Sequence, residues 1–295
     1  MQGGTMQFDE QGAAPQSDQQ PDASSSEWFN DDAVTLMKVN DELASARNSA
    51  IDLLAEIEDI LLQQNPRIEA EWQVIVGVWE NRLLEAQISA RRAKRKSSLI
   101  QARVNSGEDI DIQRIETQLD NEFEEWRQQL ETATANYQQA VETQVTAVQM
   151  SAIETDALKK AFRTIAKRLH PDLHPELGES ARHMFTLAEL AYRRGDVKIL
   201  QSLEVSTRGF EEEPGFCATL VEAQAELTLM QAQLRQLEER MRQIKSEKPY
   251  SLLALLNDEE WVSERISQIK SEIEACKRSE QGYRSRCEEL MEHNG

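Results

Sequence analysis

Apolar side chains recur at helical spacing along most of the chain, and in long stretches they return at every seventh residue. Residues 27–150 contain three such stretches, separated by Asn65-Pro66 and by Asn105-Ser106-Gly107. These residue types favour turns, and Pro66 suits the first turn of a following helix. We therefore predict three long helices that form an antiparallel coiled-coil bundle over residues 27–150.

Two further heptad stretches lie in residues 216–295, on either side of Lys248-Pro249-Tyr250. Two heptad helices with a short break between them most simply fold back on each other as a hairpin. The same seams would serve equally well between two chains, so a homo-oligomer stays open. The heptad positions are Leu220, Leu227, Leu234 and Met241 in the first stretch, and Val262, Ile269, Cys276, Tyr283 and Leu290 in the second.

Residues 151–205 carry shorter helical patterns. The first predicts a helix that begins near Asp156 and stops at the His170-Pro171-Asp172 turn, because Pro171 disfavours helical backbone at the residue before it. A buried stripe would run along one face of this helix. Its members are Leu158, Ala161, Phe162, Ile165, Ala166 and Leu169.

The next two helices follow from the same reasoning. One is predicted over about Glu179 to Arg194 and ends at Gly195. Asp196 can cap a short helix after it. An acidic, turn-rich linker is predicted over residues 206–215. The short helix would bury Val197, Leu200 and Leu203.

Composition supports an all-α class of long helices. The chain has 295 residues, 39% of them hydrophobic and only 5% aromatic, and a formal net charge of -20. Few Gly and Pro residues accompany this composition, which favours extended helices over a large mixed core. Residues 1–26 are polar with almost no apolar content, and we predict a disordered tail there.

Several classes of protein do not fit the sequence. The N-terminus has no basic start or apolar run of a signal peptide, and the longest apolar run, Val74–Trp79, is too short for a bilayer, so we expect a cytoplasmic protein without a membrane partner. Three unpaired cysteines predict reduced core residues rather than disulfides or a metal site. No pattern supplies a nucleophile, a phosphate cradle or a cofactor site, which argues against an enzyme.

The most basic run, residues 91–96, invites a nucleic-acid interpretation. If the turn after it folds the chain back, these cations instead meet Asp120, Glu122, Glu124 and Glu125. We favour this pairing over a nucleic-acid partner, since the chain as a whole is acidic.

A second concentration of positive charge surrounds the His170-Pro171-Asp172 turn. Residues 156–204 contain nine Lys or Arg and seven Asp or Glu, a net +2 in an otherwise acidic chain. A locally basic surface of this kind suits an acidic protein partner. On the helix before the turn, the basic residues are Lys159, Lys160, Arg163, Lys167 and Arg168.

Two motifs of this region resemble the J-domain of DnaJ-type co-chaperones. The segment LKKAFRTIAKRLHPD, residues 158–172, is similar to the basic helix and His-Pro-Asp turn of that family. The segment from Met184 to Tyr192 is similar to its apolar helix that ends in Ala-Tyr. Two features of the family are missing: its first helix, where TQVTAVQMSAIE stands instead, and its usual fourth-helix ending.

The resemblance implies a function and a binding site. A J-domain binds a DnaK-type heat-shock chaperone and stimulates its ATPase, and the coiled coils would then hold a client or a scaffold. Thr164 stands where many J-domains carry a basic residue. By matching position, the chaperone-binding residues would be Lys159, Phe162, Arg163, Lys167, His170, Pro171 and Asp172.

A second hypothesis stays open beside the first. The chain could be a coiled-coil scaffold or assembly protein in which the J-like hairpin is vestigial, since the usual first helix is absent. The sequence leaves the client, the pathway and the oligomeric state undetermined.

Overall fold

A computed structural model describes residues 23–146, 150–210 and 217–292, with side chains from residue 32 onward except those of residues 145 and 146. Helices and turns make up this part of the chain, which contains no strand, so the predicted all-α class is confirmed. Residues 1–22 of the predicted tail and 211–215 of the predicted linker lie outside the described residues. The helices are α1 (Ala23–Asp59), α2 (Asn65–Trp72), α3 (Val78–Ser106), α4 (Ile112–Glu122), α5 (Glu124–Thr146), α6 (Ala152–Leu169), α7 (Glu179–Arg193), α8 (Val197–Ser206), α9 (Leu220–Ser246), α10 (Leu252–Leu256) and α11 (Glu259–Glu292).

The chain divides into two compact units. Residues 1–47 and 214–231 form the smaller one, in which the side chain of Asn40 exchanges two hydrogen bonds with the backbone of Cys217, at 3.1 and 3.3 Å. Arg47 forms an ion pair with Glu226 at 2.6 Å. Both contacts advance in the same direction along the two segments, so α1 and α9 run parallel in this unit.

The larger unit comprises residues 48–213 and 232–295. At its start the predicted break at Asn65-Pro66 is wrong. Helical backbone continues from α1 into α2 through a π-helical segment, Ile60–Gln64, and Pro66 occupies the first turn of α2. The wider π turn accommodates a proline that has no N–H to donate, so the helix does not reverse.

The predicted reversal after residue 104 is present. Gly107 adopts the left-handed conformation at the end of α3, with φ 65°, and α4 and α5 return along α3. The basic run then meets acidic residues as expected, although in a different register. Arg92 pairs with Asp120 at 2.9 Å and Arg95 with Glu122 at 2.8 Å.

The C-terminal helices do not form the predicted hairpin. Helix α10 packs on α2, and α11 packs along α3. Arg265 lies 3.6 Å from Glu80, and Arg286 lies 3.1 Å from Gln101, so α11 runs parallel to α3 rather than antiparallel. The heptad seam of α11 therefore meets a helix far away in sequence.

Helices α6, α7 and α8 (residues 152–206) pack together into one compact region, named the J-like region after its sequence resemblance. The predicted bounds of α7 hold to within one residue, α8 begins directly after Asp196 as predicted, and Leu200 of α8 is fully buried. Leu62, from the π-helical segment after α1, joins the same apolar core. A segment outside the predicted hairpin thus contributes to its core.

Candidate functional site

Helix α6 is fixed at both ends by local sequence. The Ser151 side chain accepts a hydrogen bond from the Glu154 backbone, and the Glu154 carboxylate accepts one in return from the Ser151 N–H at 2.9 Å. This capping box starts the helix at Ala152, earlier than predicted. His170 ends it with extended backbone, φ -62° and ψ 126°, as Pro171 requires.

His170 lies inside the hairpin, with only 4% of its surface exposed. Its ring meets Phe185 edge-on at 5.0 Å, and its Nδ1 accepts a hydrogen bond from the Asp172 N–H at 3.1 Å. Burial lowers the pKa of His170, although the nearby Asp172 carboxylate acts in the opposite direction. A neutral ring that accepts at Nδ1 holds the turn in one conformation.

Phe162 is a core residue. It is 1% exposed and stacks on the Tyr192 ring at 4.4 Å. Its assignment to the partner-binding surface needs correction, because a side chain at this position joins α6 to α7 and cannot reach a partner in this conformation.

Asp59, which sequence reasoning missed, anchors the end of α1 to the hairpin. Its carboxylate accepts hydrogen bonds from the Tyr192 hydroxyl at 2.5 Å, from Lys159 at 2.9 Å and from Gln64 at 2.9 Å. Burial alone would raise the pKa of Asp59, but these donors outweigh it and the pKa is lowered. A tyrosine in an apolar stripe signals a polar partner for its hydroxyl, but the sequence does not say where that partner lies.

The basic residues of α6 face three different surroundings. Arg163 forms an ion pair with Asp52 of α1, next to the Lys159–Asp59 pair. Arg168 is buried and donates to the Glu204 carbonyl at 2.7 Å, so it ties α6 to α8. Lys160 and Lys167 are exposed and have no ion-pair partner within the described part of the chain.

The tip of the turn contacts α9. Gln233 donates to the Asp172 carbonyl at 2.8 Å, and Arg240 lies 3.5 Å from the Asp172 carboxylate. Both side chains of the ion pair remain nearly half exposed. Pro171 itself is exposed.

Two partly or fully buried carboxyl groups lie close to this contact. Burial raises the pKa of Glu58, Glu189 and Asp172 raise it further, and Arg240 opposes them. Burial also raises the pKa of Glu189. Arg240 and Arg193 both lower the pKa of Glu58, and Arg193 also lowers that of Glu189, so these two cations offset the acidic cluster.

The seven predicted site residues consequently divide into three groups. Phe162 and His170 are buried, while Lys167 and Pro171 face solvent. The structure brings the other three into contact with α1 or α9. These are Lys159, Arg163 and Asp172.

Other kinds of site find little support in the described ranges. No group of three or more His, Cys, Asp and Glu residues there could hold a metal ion. Nor does any helix of the described residues contain a stretch long and apolar enough to cross a bilayer. Comparison of the chain with known protein families, curated proteins and solved structures finds no match.

Proposed function

We propose that this chain is a J-domain-like co-chaperone that binds a DnaK-type heat-shock chaperone and stimulates its ATPase. One observation carries the proposal. Lys160 and Lys167, which have no ion-pair partner among the described residues, stand seven residues apart on the outer face of α6, and this face leads to the exposed Pro171 and the half-exposed Asp172. The long helices would serve client binding or assembly.

The physics of such a surface fits an acidic partner. Exposed lysines on a rigid helix attract an acidic surface over several ångströms and raise the association rate, an effect that salt weakens. Asp172 offers a carboxylate at a fixed position, able to pair with a cation of the partner. The buried His170 supports this geometry from inside, since its ring holds the Asp172 amide.

The hairpin has an apolar core even though the first helix of the family is missing. Leu200 of α8 and Leu62 after α1 fill the apolar side of α6 and α7. The Asp59–Tyr192 hydrogen bond adds a buried polar contact. A complete core keeps the outer face of α6 rigid, and a rigid surface loses less conformational entropy on binding.

The experiment is an ATPase assay of a DnaK-type chaperone with the full chain at low salt. Unmodified protein should raise the ATPase rate, and His170→Gln should abolish the increase because glutamine lacks the rigid ring that packs on Phe185 and accepts from the Asp172 N–H. Lys167→Ala should raise the protein concentration needed for half-maximal stimulation by about two- to fivefold, as expected for the loss of one exposed charge. Circular dichroism should give equal helicity for all variants.

Lys198→Ala is the matched control for Lys167→Ala. Lys198 is also an exposed lysine of the J-like region but lies on α8. It should leave half-saturation unchanged. The co-chaperone function is rejected if neither the unmodified chain nor a chain with Gln233→Ala and Arg240→Gln, which frees Asp172 from α9, stimulates the ATPase.

A scaffold protein with a vestigial hairpin is the second candidate. The observation in its favour is that Lys159, Arg163 and Asp172 already pair with side chains of the same chain. Such a scaffold would bind its partners through the long helices. A pull-down from cell extract should then recover the same proteins with the unmodified chain and with His170→Gln.

A further inference from the structure

The basic face of α6 is partly occupied by α1, within the larger unit. Asp59 and Asp52, seven residues apart on α1, pair with Lys159 and Arg163, four residues apart on α6, so the two helices run antiparallel at this contact. An acidic helix therefore lies where the proposed function requires an acidic partner. The C-terminal end of α1 is held firmly in this contact. Leu62, just after it, lies in the core, and Asp59 accepts a hydrogen bond from the buried Tyr192 hydroxyl.

The tip of the hairpin is occupied by α9. Gln233 and Arg240 stand seven residues apart on one face of that helix, and both contact Asp172. Arg240 here takes the place of a cation from a partner. The same guanidinium opposes the buried Glu58, so α9 is drawn to this position by more than one carboxylate.

We propose that α9 is an autoinhibitory latch on the His170-Pro171-Asp172 turn, and that the described conformation is its closed state. The inference rests on the proposed co-chaperone function and adds its regulation. In the closed state Asp172 is engaged by Gln233 and Arg240, so a chaperone must compete with the chain's own helix. The apparent affinity falls in proportion to the fraction of molecules in which α9 is released.

The contact of α9 with the turn is weak enough to be displaced. It consists of one hydrogen bond to a backbone carbonyl and one ion pair of half-exposed side chains. An exposed ion pair or hydrogen bond shifts an equilibrium by about fivefold. The two polar contacts together favour the closed state by roughly 25-fold, and the burial of Leu237 and Met241 of the same helix adds to this bias.

The test uses the full chain with Gln233→Ala and Arg240→Gln, which remove both α9 contacts of Asp172 and leave every residue of α6, α7 and α8 as it is. The protein concentration needed for half-maximal stimulation of the chaperone ATPase should fall by about 5- to 25-fold. Gln236→Ala with Arg235→Gln is the matched control, since it makes the same two changes at exposed positions of α9 that do not contact the turn. The control should behave as the unmodified chain.

A second measurement needs no chaperone. Spin labels at Thr186→Cys on α7 and Glu238→Cys on α9 report the distance between them, in a chain whose three native cysteines are replaced by alanine. The unmodified background should give one narrow distance distribution. The Gln233/Arg240 substitutions should add a population at longer distance, and the control pair should not.

The outcomes separate the latch from the proposed function. Equal stimulation by the unmodified and unlatched chains overturns the latch and leaves the co-chaperone function standing. Absence of stimulation from both chains rejects the function, and the distance distribution then decides the latch alone. An unchanged distribution in the unlatched chain overturns the latch in every case.

Discussion

Asp59 shows how one side chain can connect segments that are distant in sequence. It belongs to the end of α1, yet it accepts hydrogen bonds from Tyr192 of α7 and Lys159 of α6. Both the hydroxyl and the carboxylate are removed from water, where an unpaired polar group is costly. The hydrogen bond thus stabilises the docking of α1 against the J-like region.

Tyr192→Phe should lower the free energy of unfolding by about 1–3 kcal/mol at pH 7, because it leaves the buried carboxylate with one donor fewer. The pKa of Asp59 is lowered in the folded state. Its contribution is therefore present above the unfolded pKa of about 3.9 and is lost as the pH falls through the folded value. Urea titrations at pH 7 and at low pH should show the deficit shrink in acid.

Tyr137→Phe provides the control for this substitution. Tyr137 lies half-buried on α5 with no hydrogen bond recorded for its hydroxyl among the described residues. It should change the free energy of unfolding little at either pH. An equal loss from both variants would mean that the ring environment, and not the Asp59 contact, accounts for the effect.

At the scale of the element, α8 has the largest part in completing the J-like region. It packs against both α6 and α7, and Asp196 caps its start by accepting from the Ile199 N–H at 3.0 Å. The cap and the apolar spacing were both readable in the sequence. The sequence predicted only part of the role of α8 in the core. The J-domain resemblance leads one to expect the family's first helix there, and that helix is missing from this sequence.

Leu200→Ala should lower the free energy of unfolding by about 2–5 kcal/mol, because Leu200 is fully buried and the core cannot close the cavity completely. Ile199→Ala is its neighbour on the same helix and 49% exposed. That variant should cost far less. Denaturant unfolding of the two proteins compares them, and equal losses would contradict a core role for this face of α8.

At the scale of the whole molecule, the larger unit depends on contacts between distant segments. Helix α11 lies along α3, and Trp261 meets Trp72 with ring centroids 6.0 Å apart. The fully buried Ile269 belongs to the same cluster as Trp72 and Val76. The last part of the chain thus covers the apolar side of a helix near its beginning.

Truncation after Glu247 should therefore expose the apolar sides of α2 and α3. We expect the melting temperature to fall by at least about 10 °C, since several buried side chains lose their partners at once. Circular dichroism on heating measures this. A chain that ends at Glu292 keeps all of α11 and serves as the control; equal melting temperatures would contradict the long-range packing.

The sequence by itself determined the features that depend on a few neighbouring residues. Apolar spacing predicted α6, α7 and α8, Pro171 ended α6 at His170, and Gly195 and Asp196 marked the turn between the last two helices. These signals are local, because a cap or a proline acts on the backbone within one helical turn.

Only the tertiary structure decided which helix meets which. A heptad seam is complementary to any other heptad seam, so α11 could have paired with α9 but lies along α3 instead. In the same way, the spacing of Lys159 and Arg163 predicted a free basic face, whereas Asp59 and Asp52 occupy those cations. Charge and apolar periodicity define what a helix can bind, and the path of the whole chain decides which partner is close enough to bind it.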